Sequence, residues 1–339
     1  MSLMQPMPHV ERFTGSVVGQ CLGDALGFVV EGYPPETCAE YVNTFLRTDR
    51  TGETGRGEFA FGQYTDDSQL ARELLESFVE CRRFDPASYA RRVAAIFAED
   101  RIVGRGRATA AAAERLAQGV PWQESGTPPP QAGNGSAMRA GPIGLFFFDD
   151  PARLVAAADD QGRITHADPR SSAGAVAIAG AVALALQDRL EDADAVVAQL
   201  VEWSAPLDHS FAKELGRLPR WLDLVPEAAG PEIARAGFQP GFSDRWQGIS
   251  PFVTSSVLWS LYSVLRSPDD YWETICTAIA VGGDVDTTAA MAGAISGAAL
   301  GLRAIPHDLA ARLTDQETWG YNDLVGLAEM CHEIKAGQL

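Results

Sequence analysis

Gly15-Ser16-Val17-Val18-Gly19-Gln20-Cys21-Leu22-Gly23-Asp24-Ala25-Leu26-Gly27 is the stretch that decides the fold. Around it Val10, Phe13, Val17, Cys21, Ala25 and Val29 recur at helical spacing, the signature of an amphipathic helix. Within the same helix glycine returns every fourth residue, at Gly15, Gly19, Gly23 and Gly27. A glycine in a helix interior costs about 1 kcal/mol against alanine. A stripe that costly predicts that another backbone, or a ligand, packs very close to this face.

Working outward, helical periodicity continues and strand signals are scarce. Leu70, Leu74, Leu75 and Phe78 mark a helix after Asp66, and Asp85-Pro86 opens another with proline at its first position. Residues 107–118 read as a helix stopped by Gly119. A Pro/Gly/Ser-rich loop follows over 120–135, with Pro128 to Pro130 inside it and Gly133-Asn134-Gly135 at its end. Helices are predicted at 136–147, 151–160, 171–187, 193–203, 209–222, 251–265, 269–280, 287–302 and 321–334. The stretch 225–247, rich in Pro and Gly, reads as an irregular surface excursion. The expectation is one all-α domain over residues 8–336, built from about a dozen helices.

Composition narrows the function. The net charge of −18 argues against nucleic acid as a stable partner, because such binding relies on clustered Lys and Arg. A small anionic ligand stays open, since bound divalent ions reverse the local field. Five scattered cysteines form neither a zinc spacing nor a disulfide framework, which implies a reducing, cytoplasmic setting. No signal-peptide pattern is read at the N-terminus. The apolar run 173–186 is short for a bilayer and reads as a buried core helix. No membrane partner and a monomer are expected.

Two acidic segments carry the chemistry. Thr65-Asp66-Asp67 and Gly282-Gly283-Asp284-Val285-Asp286-Thr287-Thr288 each place two carboxylates beside a threonine hydroxyl, a ligand set for hard cations such as Mg²⁺ or Mn²⁺. Either alone also reads as a helix N-terminus, with acids favoured by the dipole. Asp284 and Asp286 share a ligand only from a loop or a helix start, because residues two apart on a helix diverge. Asp24 reads as a buried acceptor for a neighbouring helix start or as part of the acidic site, and Glu31 as a metal-compensated acid or a plain loop residue. Gly133 to Arg139 is a glycine-rich turn opening onto a helix, with N–H groups for an anion and Arg139 for a bidentate phosphate contact. His166 reads as a ligand contact or as a cap for the helix after Asp168-Pro169.

Taken in order, Gly23 to Gly27, Thr65-Asp66-Asp67, Gly133 to Arg139, Thr165-His166 and Gly282 to Thr288 resemble the motifs of the ADP-ribosylglycohydrolase family, and Ala289 to Ala298 its small-residue helix. The resemblance runs from about Phe13 to Pro306. It implies an all-α orthogonal bundle with a dinuclear centre of Mg²⁺ or Mn²⁺. It also implies an ADP-ribosylated substrate, cleaved by hydrolysis at C1″ of the distal ribose. The implied metal ligands are Thr65, Asp66, Asp67, Asp284, Asp286 and Thr287. The implied catalytic carboxylates are Glu31, Asp66 and Asp67. The implied substrate contacts are Gly106, Gly133, Asn134, Gly135, Ser136, Met138, Arg139 and His166.

Two positions depart from the pattern. Val285 stands where threonine is usual, and the loop Gly104-Arg105-Gly106-Arg107 offers no carboxylate, which puts an arginine acceptor in doubt. A diphosphate enzyme of the isoprenoid type is disfavoured because Leu70 stands four residues after Asp66, where that class needs an acid. A non-catalytic ADP-ribose binder or crystallin-like protein is the remaining alternative.

Overall fold

The computed structural model describes residues 6–48, 55–239, 242 and 244–338. Its α-helices are α1 (Val10–Phe28), α2 (Pro35–Tyr41), α3 (Asp66–Cys81), α4 (Pro86–Ala98), α5 (Arg107–Ala117) and α6 (Gly141–Phe147). Next come α7 (Pro151–Arg163), α8 (Pro169–Leu186), α9 (Ala193–Ser204), α10 (His209–Leu215), α11 (Leu218–Leu222) and α12 (Pro226–Ile233). The last are α13 (Val253–Arg266), α14 (Tyr271–Ala280), α15 (Val285–Leu300), α16 (His307–Ala310) and α17 (Tyr321–Lys335). A π-helical turn (Val42–Leu46), a 3₁₀ turn (Leu302–Ala304) and isolated β-bridges accompany them among the described residues, so the bundle is all-α.

The glycine stripe finds its partner. A Cβ at Gly15 would run into Gly297 and Gly301, one at Gly19 into Gly293, one at Gly23 into Ala289, and one at Gly27 into Val285 and Asp286. Falling numbers on α15 against rising numbers on α1 mean that the two helices run antiparallel, backbone on backbone. Ser16 donates to the Ala294 carbonyl across the seam at 2.9 Å, and Tyr271 of α14 donates to Gly19 at 2.8 Å. Both helices are buried almost end to end. The seam has one functional consequence. The C-terminal end of α1, next to Glu31, lies against the N-terminal end of α15, next to Asp284 and Asp286.

The other helices wrap this pair. α8 carries the apolar run; the helix is long and apolar enough by composition to cross a membrane, and 89% of it is buried within the protein. It packs against α6, α7, α9, α13 and α15, as a core helix does. Several helices start from an aspartate cap whose carboxylate accepts a first-turn N–H, as at Asp85, Asp150 and Asp168, each followed by proline.

Most helix ends fall within about three residues of expectation, and four departures have a local cause. The helix predicted over 136–147 begins only at Gly141, because the Asn134 carbonyl takes the N–H groups of both Ala137 and Met138 and curls 134–140 into turns. The single helix predicted over 209–222 is two, broken between Leu215 and Leu218 ahead of Pro219. The excursion 225–247 contains α12, with Pro226 in its first turn and Pro231 tolerated inside it. The helix expected from 287 starts at Val285, with Asp284 as its N-cap.

Candidate active site: two helix starts that face each other

Thr65 is the N-cap of α3, so Asp66 and Asp67 occupy its first turn. The usual capping role passes to another chain segment. Asp24, fully buried on α1, accepts the Thr65 N–H at 3.0 Å, the Thr65 hydroxyl at 2.9 Å and the Ser68 N–H at 3.0 Å. Asp24 is therefore the buried acceptor for a helix start that the sequence offered as one of its two readings. That bonding frees Asp66 and Asp67 from capping.

The second segment is built similarly. Gly282 and Gly283 adopt φ of +76° and +90°, a left-handed conformation that favours glycine. Neighbouring backbone presses on both glycines. Gly283 exchanges hydrogen bonds with Gly32 and Tyr33, and the Asp284 N–H donates to Ile249 at 2.8 Å. These bonds tie the Glu31 turn, the Ile249 segment and the start of α15 together. Ligand oxygens of Glu31, Asp284 and Asp286 all fall within 4.8 Å of one another.

The two halves meet. The Thr287 side chain reaches both Asp67 and Asp284, and its contact offsets part of the upward push on each acid. Burial and the neighbouring acids hold the carboxyls of Asp66, Asp67, Asp284 and Asp286 well above the usual carboxylate range. Burial pushes Asp24 up to about 7. Glu31 is also raised, burial outweighing the Arg56 guanidinium that lies 3.2 Å away. Asp67 Oδ1 is buried with no hydrogen-bond partner. An orphaned carboxylate oxygen among mutually repelling buried acids fits a site for divalent cations, which neutralise the cluster and occupy its free lone pairs.

Around the acids lie the predicted substrate contacts. Asn134 donates to Asp284 at 2.5 Å and to Ser256 at 3.0 Å, so it orients a candidate metal ligand. The Gly106 backbone N–H faces Asp66, and a Cβ at Gly104 would stand 3.0 Å from Asp66 Oδ1. The loop without a carboxylate therefore abuts the acidic centre. His166 packs on the 133–135 turn so closely that a Cβ at Gly135 would sit 2.6 Å from its ring. Its Nδ1 lies 2.8 Å from the Thr165 hydroxyl. Burial and then the Arg139 charge push His166 down to about 3, which keeps the ring neutral.

Three of the predicted contacts are enclosed by the protein. Arg139, expected to give a bidentate phosphate contact, is fully buried. Its Nε donates to Gln161 Oε1, and its Nη2 to the Gln161 carbonyl and Thr165 Oγ1. Its Nη1 is buried with no hydrogen-bond partner. The Ser136 hydroxyl is likewise taken by the Ser171 carbonyl at 2.8 Å, and Met138 is buried. The N–H groups of Gly133, Gly135 and Ser136 have no protein acceptor among the described residues, so the turn keeps free backbone donors. Arg56 was not singled out from sequence. It sits in the glycine-flanked Gly55-Arg56-Gly57, without periodicity to mark it. Ile249 was missed for the same reason.

An all-α bundle whose central helix pair ends in a buried multi-carboxylate centre is an arrangement that suits cation binding. The family model described as ADP-ribosylglycohydrolase matches residues 5–338, and the chain belongs to that family and is an enzyme of that kind. It is 29% identical to ADP-ribosylhydrolase ARH3 of Xenopus tropicalis over 97% of each chain. It is 28% identical to the Homo sapiens protein of the same name, over 96% of this chain and 94% of that one. Identity to ADP-ribosylarginine hydrolase Tri1 of Pseudomonas putida is 28%, covering 90% of this chain and 75% of the relative. A solved structure titled ADP-ribosylglycohydrolase-related protein complex superposes with a TM-score of 0.70 at 26% identity, over 96% of this chain and 98% of that one.

Proposed function

We propose that this enzyme releases ADP-ribose from an ADP-ribosylated acceptor by hydrolysing the bond at C1″ of the distal ribose. Two Mg²⁺ or Mn²⁺ ions would be held by Thr65, Asp66, Asp67, Asp284, Asp286 and Thr287. The supporting observation is the union of the two acidic segments, with Asp67 Oδ1 buried and unpartnered. When bound, the ions would neutralise the carboxylates, hold the distal ribose hydroxyls and make a water more acidic.

The protein's own groups do the rest. Glu31 is half-buried and only tethered by Arg56, so it is the carboxylate best able to move a proton. It takes the proton from the attacking water as the C1″–acceptor bond breaks, and a proton returns to the departing acceptor. Asn134 holds Asp284 in place. The free N–H groups of the 133–136 turn suit a diphosphate, and neutral His166 faces the same turn as a hydrogen-bonding partner. The scattered cysteines go with a cytoplasmic setting, and a monomer contains every residue named. Glu31→Gln tests the assignment: kcat should fall by roughly 100-fold or more with KM little changed. Full turnover in that variant would remove Glu31 from the scheme.

A further inference from the structure

A cavity lies beside the Gly282-Gly283 turn. It measures about 810 Å³ and is bounded by α2, α12, α13, α14 and the described residues Phe238, Phe242, Asp244 and Trp246. That volume is in the range of small-ligand pockets. Its apolar walls come from Pro35, Phe238, Trp259 and Val281, and Phe242 and Trp246 stand at its edge.

Two independent features mark it as more than a packing gap. Five large apolar side chains are exposed among the described residues, Tyr33, Val225, Phe242, Trp246 and Met330. Phe242 and Trp246 line this cavity, and Tyr33 and Val225 lie within two residues of the lining Pro35 and Pro226. Exposed apolar side chains gathered in one place mark an interaction site, whereas scattered ones are ordinary. The charges lean one way as well. Glu36, Glu227 and Asp244 line the cavity against the single Arg235, and none of the four belongs to an ion pair among the described residues.

We propose that this cavity binds a small organic cation with an aromatic or aliphatic body. The apolar walls take the body, and the carboxylates and aromatic faces take the charge. The site does not depend on the hydrolase reading, although its lining adjoins Gly282. Pro35 and Gly248 both press on Gly282, and Val281 precedes it, so an occupant would bear on the turn that carries Asp284.

The test is calorimetric titration of the full-length, Mg²⁺-supplemented protein with a matched pair of probes. One is (3-phenylpropyl)trimethylammonium and the other 4-phenylbutyrate, alike in body and opposite in charge. The cation should bind at least about tenfold more tightly. Ala234→Trp, which fills the cavity, should abolish binding. In case that variant folds poorly, the double change Glu36→Gln and Glu227→Gln should weaken the cation about tenfold and leave hydrolysis unchanged. Equal affinity for the two probes, no binding of the cation, or binding indifferent to these substitutions would overturn the proposal.

Discussion

The middle and the end of the α1–α15 pair follow opposite rules. In the middle, glycines let two backbones touch, side chains are small and uncharged, and Ser16 bridges the seam to Ala294, although the buried Ser296 hydroxyl has no partner. At the end, beyond Gly27, buried carboxylates crowd together and one oxygen has no partner. The close-packed middle holds the chain in place at the expense of glycine's backbone entropy. The acidic end uses that rigidity to keep repelling groups together, which the isolated residues would avoid. Stability and function are thus divided along a single helix pair, and each half should respond differently to substitution.

The division is tested most strongly at the acidic end. Asp286→Asn should lower kcat by roughly 1,000-fold, about 4 kcal/mol in barrier, and abolish cation binding measured by calorimetry. The metal-free variant should nevertheless melt higher than the metal-free parent, with a stability gain of about 1 kcal/mol, because a buried like charge is gone. A lower melting point would mean that the acids are not in repulsion.

In the middle the order should reverse. Gly23→Ala drives a methyl into the Ala289 carbonyl and should cost about 3 kcal/mol in urea denaturation, at the upper end of overpacking. Residual folded protein should still bind cations with near-normal affinity. Asp24 stands at the junction of the two regions. Asp24→Asn leaves one amide N–H₂ facing the Thr65 and Ser68 donors and should cost about 2 kcal/mol, with cation affinity weakened as α3 shifts.

The smallest effect is in pH. The site acids have folded-state pKa values raised above the unfolded ones, with Asp24 at about 7 against 3.8. Between those values the folded state holds more protons, so stability of the metal-free protein is fully present below about pH 4 and falls as pH rises towards 7. Saturating Mg²⁺ should flatten or reverse this slope, because cation binding displaces those protons. Thermal melts at several pH values, with and without Mg²⁺, read both slopes.

The sequence made some of this legible because the signals were local. A glycine every fourth residue announced a close backbone, and Thr65-Asp66-Asp67 announced a helix start with acids to spare. What it hid was long-range. Arg139 has the look of a phosphate ligand beside a glycine turn, and its bonds to Gln161 and Thr165, 22 and 26 residues on, could not be read from the local pattern. Arg56 reaches Glu31 from a turn without periodicity, and α12 was masked by its own prolines. The helix predicted over 136–147 was shortened by one carbonyl that accepts twice.

The central claim is that the two acidic segments form one cation site on which hydrolysis depends. It is tested most directly by measuring ADP-ribose release from ADP-ribosylated serine, arginine and nucleic-acid substrates by EDTA-stripped protein, before and after Mg²⁺ or Mn²⁺ is restored. The account predicts that release from at least one acceptor is lost on stripping and recovered on reloading. Stripped protein that hydrolyses its substrate as fast as the loaded protein would contradict it.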